Sequence, residues 1–158
     1  MLFPTHLAAG YLLGRSFSAP AWVVAGAALP DVLDKPLAMV GVTELYHSVG
    51  HALLFGLALA AAWALSRRSL WLAVTAGWAS HLGLDALHVV VNGRPTDALF
   101  LGWPVAVPPD PLGLAPVPFA LQYLWTPAFF LEVAVWAGLA VVVRRRLRPG
   151  RAGRATEG

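Results

Sequence analysis

Two long apolar runs, residues 45–65 and 69–91, fill the middle of this chain and limit what it can fold into. Each matches the roughly 20 residues an α-helix needs to cross a bilayer. The first closes at Ser66-Arg67-Arg68 and the second at Asn92-Gly93-Arg94-Pro95. A third run, residues 128–143, is a little shorter, and residues 121–125 can extend it. Two more, residues 5–13 and 19–29, are too short to span alone at ~1.5 Å per residue and must tilt, lengthen or pack as a hairpin. The run lengths predict an all-α fold: a polytopic transmembrane bundle of about five helices, with a long Pro-rich loop between the last two. Charged residues make up 12% of the chain and hydrophobic ones 58%. The charged share is about half that of an ordinary soluble domain, so lipid is the expected solvent and partner.

At 158 residues the chain is about one domain long. Residues 1–148 read as the membrane-embedded part and 149–158 as a basic, disordered cytoplasmic tail. The opening residues lack a basic n-region and a small-residue cleavage site, so the first helix is expected to persist in the mature protein. The net charge of +3 and a pI near 10 do not point to nucleic acid, because six of the eleven basic residues lie between Arg144 and Arg154. A basic cluster beside an apolar run attracts anionic headgroups and sets orientation. With five crossings, Arg15, Arg67, Arg68 and the tail fall on one face, leaving Lys35 and Arg94 on the other. The positive-inside rule then puts the amino terminus outside and the carboxyl terminus inside, and a cytoplasmic (inner) membrane is the expected location.

On that frame all five histidines, His6, His47, His51, His81 and His88, fall in the outer half of the bundle, with Asp31, Asp34, Asp85 and Glu132 near them. No histidine entered the charge count, so the two observations are independent. The chain has no cysteine, which excludes disulfides, thiolate ligands and thiol nucleophiles. A metal must therefore be held by imidazole and carboxylate, a donor set that suits zinc, manganese or iron better than copper(I).

The sharpest motif is His81-Leu82-Gly83-Leu84-Asp85. Residues four apart share a helix face, and His88 lies on that face one turn later. Ionisable groups inside an apolar run belong in the bundle interior, where they ligate, catalyse or merely satisfy each other. His47 and His51 repeat the four-residue spacing and could grip one ion through facing ring nitrogens. Pro30 is expected to end or kink its helix and to present Asp31, with Asp34 secondary and free to pair with Lys35. Thr5 is a candidate cap for the first helix, with His6 in its first turn. Glu132 is an intramembrane acid, hence a site candidate or a structural partner of a histidine. Residues 92–127 carry eight of the thirteen prolines and cannot be one regular helix, so they are expected to form a lid or binding element. No phosphate-cradling glycine loop, G-x-S-x-G elbow or H-E-x-x-H motif competes.

Thr5-His6 with Gly10, Pro30-Asp31, the His47/His51 region, Ser80-His81 through Asp85, and Phe100-Leu101-Gly102-Trp103-Pro104 together resemble bacterial and archaeal membrane-bound, metal-dependent hydrolases. That group includes LexA-regulated inner-membrane members, and is itself distantly similar to zinc-dependent phospholipases C and single-strand nucleases. The resemblance covers most of the chain before the basic tail. It implies that His81 and Asp85 are zinc ligands. One departure is local: many members place an arginine after the first histidine of the pair and set the two histidines five apart. Here they are four apart, no arginine follows His47, and Gly50 stands where a threonine is usual. Any anion-binding task of that arginine passes to Lys35 or Arg94.

The expected function is a metal-dependent hydrolase in which a metal-activated water attacks a lipid or lipid-linked phosphoester. Its metal ligands are His6, Asp31, His47, His51, His81 and Asp85, with Asp31, His81 and Asp85 catalytic. Asp34, His88 and Glu132 are secondary candidates. The rival is a non-enzymatic membrane protein that binds or transports metal ions or protons through the same groups.

Overall fold

The computed structural model describes residues 1–109, 111 and 113–147. Among them are six α-helices and one 3-10 helix: α1 (Phe3–Gly14), α2 (Pro20–Met39), α3 (Leu53–Ser66), α4 (Ser69–Val91), the 3-10 helix Pro95–Gly102, α5 (Pro116–Tyr123) and α6 (Pro127–Leu147). Prolines sit in the first turn of α1, α2 and α5, where a missing N–H costs nothing and the fixed φ suits a helix. α3 stops where Arg67 turns left-handed at φ 55°, and α4 starts two residues later.

The all-α expectation holds, but the five-crossing bundle does not. Among the described residues α6 alone is long and apolar enough to cross a membrane. α3 has 14 residues, about 21 Å of helix against ~30 Å of hydrocarbon. The apolar run that seemed to give it a full span begins with residues 45–52, which are irregular backbone and not helix. α2 is long enough but carries Asp31, Asp34 and Lys35, and α4 carries His81, Asp85 and His88. The groups of α4 are expected in the bundle interior and those of α2 at a helix edge. In the fold Asp31, Asp34, His81, Asp85 and His88 are buried, and they define what α2 and α4 are for. With the five crossings goes the orientation drawn from them. Residues 149–158 lie outside the described residues.

α2 and α4 form the centre of the bundle, with α1 packed on both and α3 against α4. Two glycines set the α2–α4 distance. A Cβ on Gly26 would collide with the Val74 carbonyl oxygen, and one on Gly77 with the Val23 carbonyl oxygen. Backbone therefore lies on backbone, and the acids of α2 are brought within reach of the His81 and Asp85 side chains of α4. Beneath this contact Leu59, Val74, Trp78 and Leu82 form an apolar cluster joined by Leu29 and Phe55. α6 packs on α1, where Trp136 Nε1 donates to Thr5 Oγ1 at 3.1 Å and Glu132 accepts from the Leu2 amide.

Local expectations need correcting too. α2 runs through Pro30 and Pro36 without ending, so Asp31 and Asp34 lie on a continuous helix and not at its edge. Residues 121–125 do not extend the last helix, because α5 stops at Tyr123 and Trp125 adopts φ 70° before α6 begins. Thr5 is inside the first turn of α1 and buried, not its cap, which is Leu2. The Pro-rich stretch 92–127 holds both the 3-10 helix and α5.

Candidate metal centre

Asp34 organises one side of the site. Its carboxylate is fully buried and accepts from the amides of Ser48 at 2.7 Å, Gly50 at 2.8 Å and His51 at 3.2 Å. It also accepts from His51 Nδ1 at 2.7 Å. The irregular segment before α3 is thereby wrapped around one acid. Gly50 allows the wrap: a Cβ there would meet the Pro30 Cα at 2.9 Å, and its carbonyl accepts from Trp78 Nε1 at 2.8 Å. Asp34 is thus the holder of His51 and not a partner of Lys35, which instead contacts Asp31 Oδ1 at 2.6 Å. His47 and His51 are not a turn apart on a helix. They meet because the segment folds back, their rings edge to face at 4.5 Å.

α4 supplies the other side. His81 Nδ1 donates to the Ala27 carbonyl at 2.6 Å across the close helix contact. Because Nδ1 of His51 faces a carboxylate and Nδ1 of His81 faces a carbonyl, both must carry the proton there. An Nε2 that carries no second proton presents a bare lone pair, and these two atoms lie 3.1 Å apart. Two lone pairs at that distance repel unless a cation or proton sits with them. Two nitrogens on one tetrahedral zinc, at ~2.0–2.1 Å each, stand about 3.3 Å apart, so the spacing fits a shared ion. Both rings also have the outer hydrogen-bond partner that metal-ligating histidines characteristically keep.

The donors form three overlapping triplets, each with ligand atoms within 4.8 Å: His6, His81 and Asp85; Asp31, His51 and His81; His47, His51 and Asp85. Asp85 offers its two oxygens to different neighbours. Oδ1 lies 3.2 Å from His6 Nε2, while Oδ2 lies 3.1 Å from His81 Nε2, 3.5 Å from His51 Nε2 and 3.7 Å from His47 Nε2. Asp31 Oδ1 is 3.7 Å from Nε2 of both His51 and His81. His6 stacks on His81 with centroids 3.6 Å apart. His6 Nδ1 and Asp31 Oδ2 are buried with no hydrogen-bond partner among the described residues, and His6 Nε2 has only the ion-pair approach of Asp85 Oδ1. Buried polar atoms left this way are costly, and a cation would satisfy them.

Electrostatics agree with a cation site. Burial alone would raise Asp85, yet the Met1 ammonium at 2.7 Å, His6 and His81 hold its carboxyl well below the usual range. Burial opposes the Asp31 charge too, and Lys35 and His81 outweigh it. His51 is pushed down by burial but carried above the ordinary histidine value by Asp34 and Asp85. His6 is lowered by burial, and His47 by desolvation in the crowded cluster and then by His51.

Six residues read as ligands, His6, Asp31, His47, His51, His81 and Asp85, come together here. His88 and Glu132 fall in an adjoining group. His88 Nδ1 lies 3.0 Å from the Met1 nitrogen and its ring packs on Tyr123 at 4.9 Å, while burial first and the Met1 ammonium second hold its pKa at about 3. Ala27 as an acceptor for His81, and Gly26, Gly50 and Gly77 as the residues that permit the close approaches, carried no signal in a single sequence. Compared with known proteins, the chain matches no family model, no curated protein and no solved structure.

Proposed function

We propose that this chain is a metal-dependent hydrolase of the membrane-bound type its motifs resemble, acting on a phosphoester. The observation that carries the reading is the facing pair of Nε2 atoms on His51 and His81, each ring fixed by an acceptor at its other nitrogen. His6, His47, Asp31 and Asp85 complete the donor set, which suits zinc best, with manganese or iron as substitutes. A divalent ion held by them would lower the pKa of bound water toward ~7 and supply hydroxide at neutral pH.

The chain's own groups have separable tasks. Asp34 fixes the His51 tautomer, and Ala27 fixes that of His81. Asp31, tied to Lys35, is a negative group beside the Nε2 pair that can accept a proton from an attacking water. His88, kept neutral by burial and by the Met1 ammonium beside it, lines the same cavity as a hydrogen-bonding group and not as a proton carrier. Lys35, paired with Asp31, and Arg94, paired with Asp97, line the cavity and would share their charge with an ester anion in place of the missing arginine. α6, if it spans, carries Arg144, Arg145 and Arg146 at its carboxyl end, which the positive-inside rule puts in the cytoplasm of a cell's inner membrane. The placement of the histidines in an outer half of the bundle falls with the five-crossing frame.

Metal content of detergent-purified protein, measured by mass spectrometry beside hydrolysis of p-nitrophenyl phosphate, tests the proposal. Stoichiometric zinc or manganese, lost in His81→Ala and Asp85→Ala together with hydrolysis, supports it. Full hydrolysis by metal-free protein defeats it. Metal flux in proteoliposomes without any hydrolysis defeats it as well, in favour of a carrier.

A further inference from the structure

A cavity of about 620 Å³ opens over the cluster. Asp31, His47, Asp85 and His88 lie at its polar end, with Lys35 and Arg94 on its wall. Most of the rest is apolar: Val32, Pro36 and Met39 of α2, Val89 of α4, Phe100 of the 3-10 helix and Phe119 of α5. Its volume falls in the range of pockets that enclose a whole organic ligand. At ~30 Å³ per water it would hold about twenty waters. A small soluble phosphoester would fill the polar end and leave water against the apolar side chains that make up most of the remaining wall.

α5 sharpens the point. Phe119 and Tyr123 face inward, their rings 5.7 and 4.9 Å from His88, while Val117 and Leu121 on the same short helix are 71% and 69% exposed. A helix with apolar side chains on both faces is a wall between an apolar interior and an apolar exterior. α6, the helix able to enter a membrane, begins four residues after α5 ends.

We infer that the cavity binds an amphiphile, its anionic phosphate-type head against the metal cluster, Lys35 and Arg94, and its single apolar tail along Val89, Phe100, Phe119 and Met39. This inference rests on the hydrolase reading for the head, but the tail site stands on the cavity alone. The head chemistry is shared by lipid headgroups and soluble phosphoesters, and tail length separates the two.

The experiment titrates zinc-loaded protein in nanodiscs with methyl-, butyl-, octyl- and dodecylphosphonate, whose C–P bond resists hydrolysis, using calorimetry with empty nanodiscs subtracted. Affinity should rise by about fourfold per buried methylene until the cavity is full. Dodecyltrimethylammonium, with the same tail and opposite charge, should bind at least tenfold more weakly than dodecylphosphonate. Met39→Asp places a charge on a residue 67% exposed at the cavity rim, where folding is not at stake, and Phe119→Ala removes an inner ring. Both should flatten the tail-length dependence and keep wild-type zinc content. Methylphosphonate binding as tightly as dodecylphosphonate would overturn the inference, as would a length dependence that both variants retain. Hydrolysis of p-nitrophenyl phosphate without length dependence sinks the amphiphile and leaves the hydrolase. Length dependence without hydrolysis does the reverse.

Discussion

At the α2–α4 contact backbone meets backbone, whereas α5 reaches the bundle through rings, Phe119 and Tyr123 set against His88. The first region holds the residues whose positions must be accurate: Asp31 and Asp34 on one helix, His81 and Asp85 on the other. Two carbonyl oxygens stand where a Cβ at Gly26 or Gly77 would go, so the helices cannot drift apart or slide without losing the contact. In the second region Val117, Leu121 and Trp125 lie largely exposed beside α6. A metal site needs ligands held within about half an ångström, while a wall around a cavity can tolerate movement. The difference divides the molecule into a fixed half that sets donor positions and an adjustable half that shapes what reaches them.

The largest effect should come from filling the α2–α4 contact. Gly77→Ala forces the Val23 carbonyl and its helix away, an overpacking cost of about 3 kcal/mol. Because Ala27 O and His81 Nδ1 are joined across the same contact, metal content should fall with the thermal midpoint. A Gly77→Ala protein with wild-type melting and metal content would show that the two helices are not fixed at all.

Next in size is Asp34→Asn. The amide keeps one oxygen, which can stay with Ser48 and His51 or with Gly50 but not with both, and it loses the charge that holds the proton on His51 Nδ1. Loss of such an outer partner typically costs ~10–100-fold in metal affinity. Competition with a chelating dye should show that loss while the circular dichroism spectrum stays unchanged. Asp34→Glu, which keeps the charge, should recover part of it. Equal loss in both variants would make Asp34 a packing residue only.

How far these roles can be read from the chain differs between residues. His81 and Asp85 are legible because i,i+4 spacing on an uninterrupted helix puts two side chains on one face whatever surrounds it. The histidine pair before α3 was legible as chemistry and misread as geometry, since a four-residue spacing says helix only where the backbone is helical. There the backbone is bent around Asp34, and the atoms responsible sit 14–17 residues away in the chain. Gly26 and Gly77 look like ordinary small residues in apolar runs until the register of α2 on α4 is known. The number of crossings failed for a related reason: run length measures how few charges a segment has, not whether those few face inward.

pH offers a milder probe of the fixed half. The folded pKa of His51 is raised, so its stabilising contribution to metal-free protein is full below its unfolded value of 6.5 and is lost as pH rises through the folded value. Asp34 is lowered, so its contribution is present above 3.8 and is lost as pH falls through its folded value. His47 and His88, lowered to about 4 and about 3, oppose His51: their contribution is present above 6.5 and is lost as pH falls toward the folded values. EDTA-treated protein scanned from pH 3 to 9 should therefore melt highest near pH 6.5 and lose stability on the acid side. Zinc binding must displace any proton on His51 Nε2, so zinc should extend the stable range upward and release protons in a weakly buffered titration. Proton uptake on zinc addition would contradict the assignment of that nitrogen.

The smallest effect belongs to the adjustable half. Leu121 points away from the cluster and is 69% exposed, so Leu121→Ser removes little packing and should shift stability by no more than about 0.5 kcal/mol. Zinc affinity should stay within twofold of wild type, because Leu121 is neither in a donor triplet nor hydrogen-bonded to one. On the amphiphile reading, what should change is entry from a bilayer, because a hydroxyl replaces an exposed apolar side chain on the outer face of α5. Binding of dodecylphosphonate from nanodiscs should slow while its final affinity is nearly kept, since the cavity face of α5 is untouched. Stopped-flow mixing with a calorimetric end point separates those two quantities. Should Leu121→Ser weaken zinc as strongly as Asp34→Asn does, then α5 helps to set donor positions and the two halves are not separate.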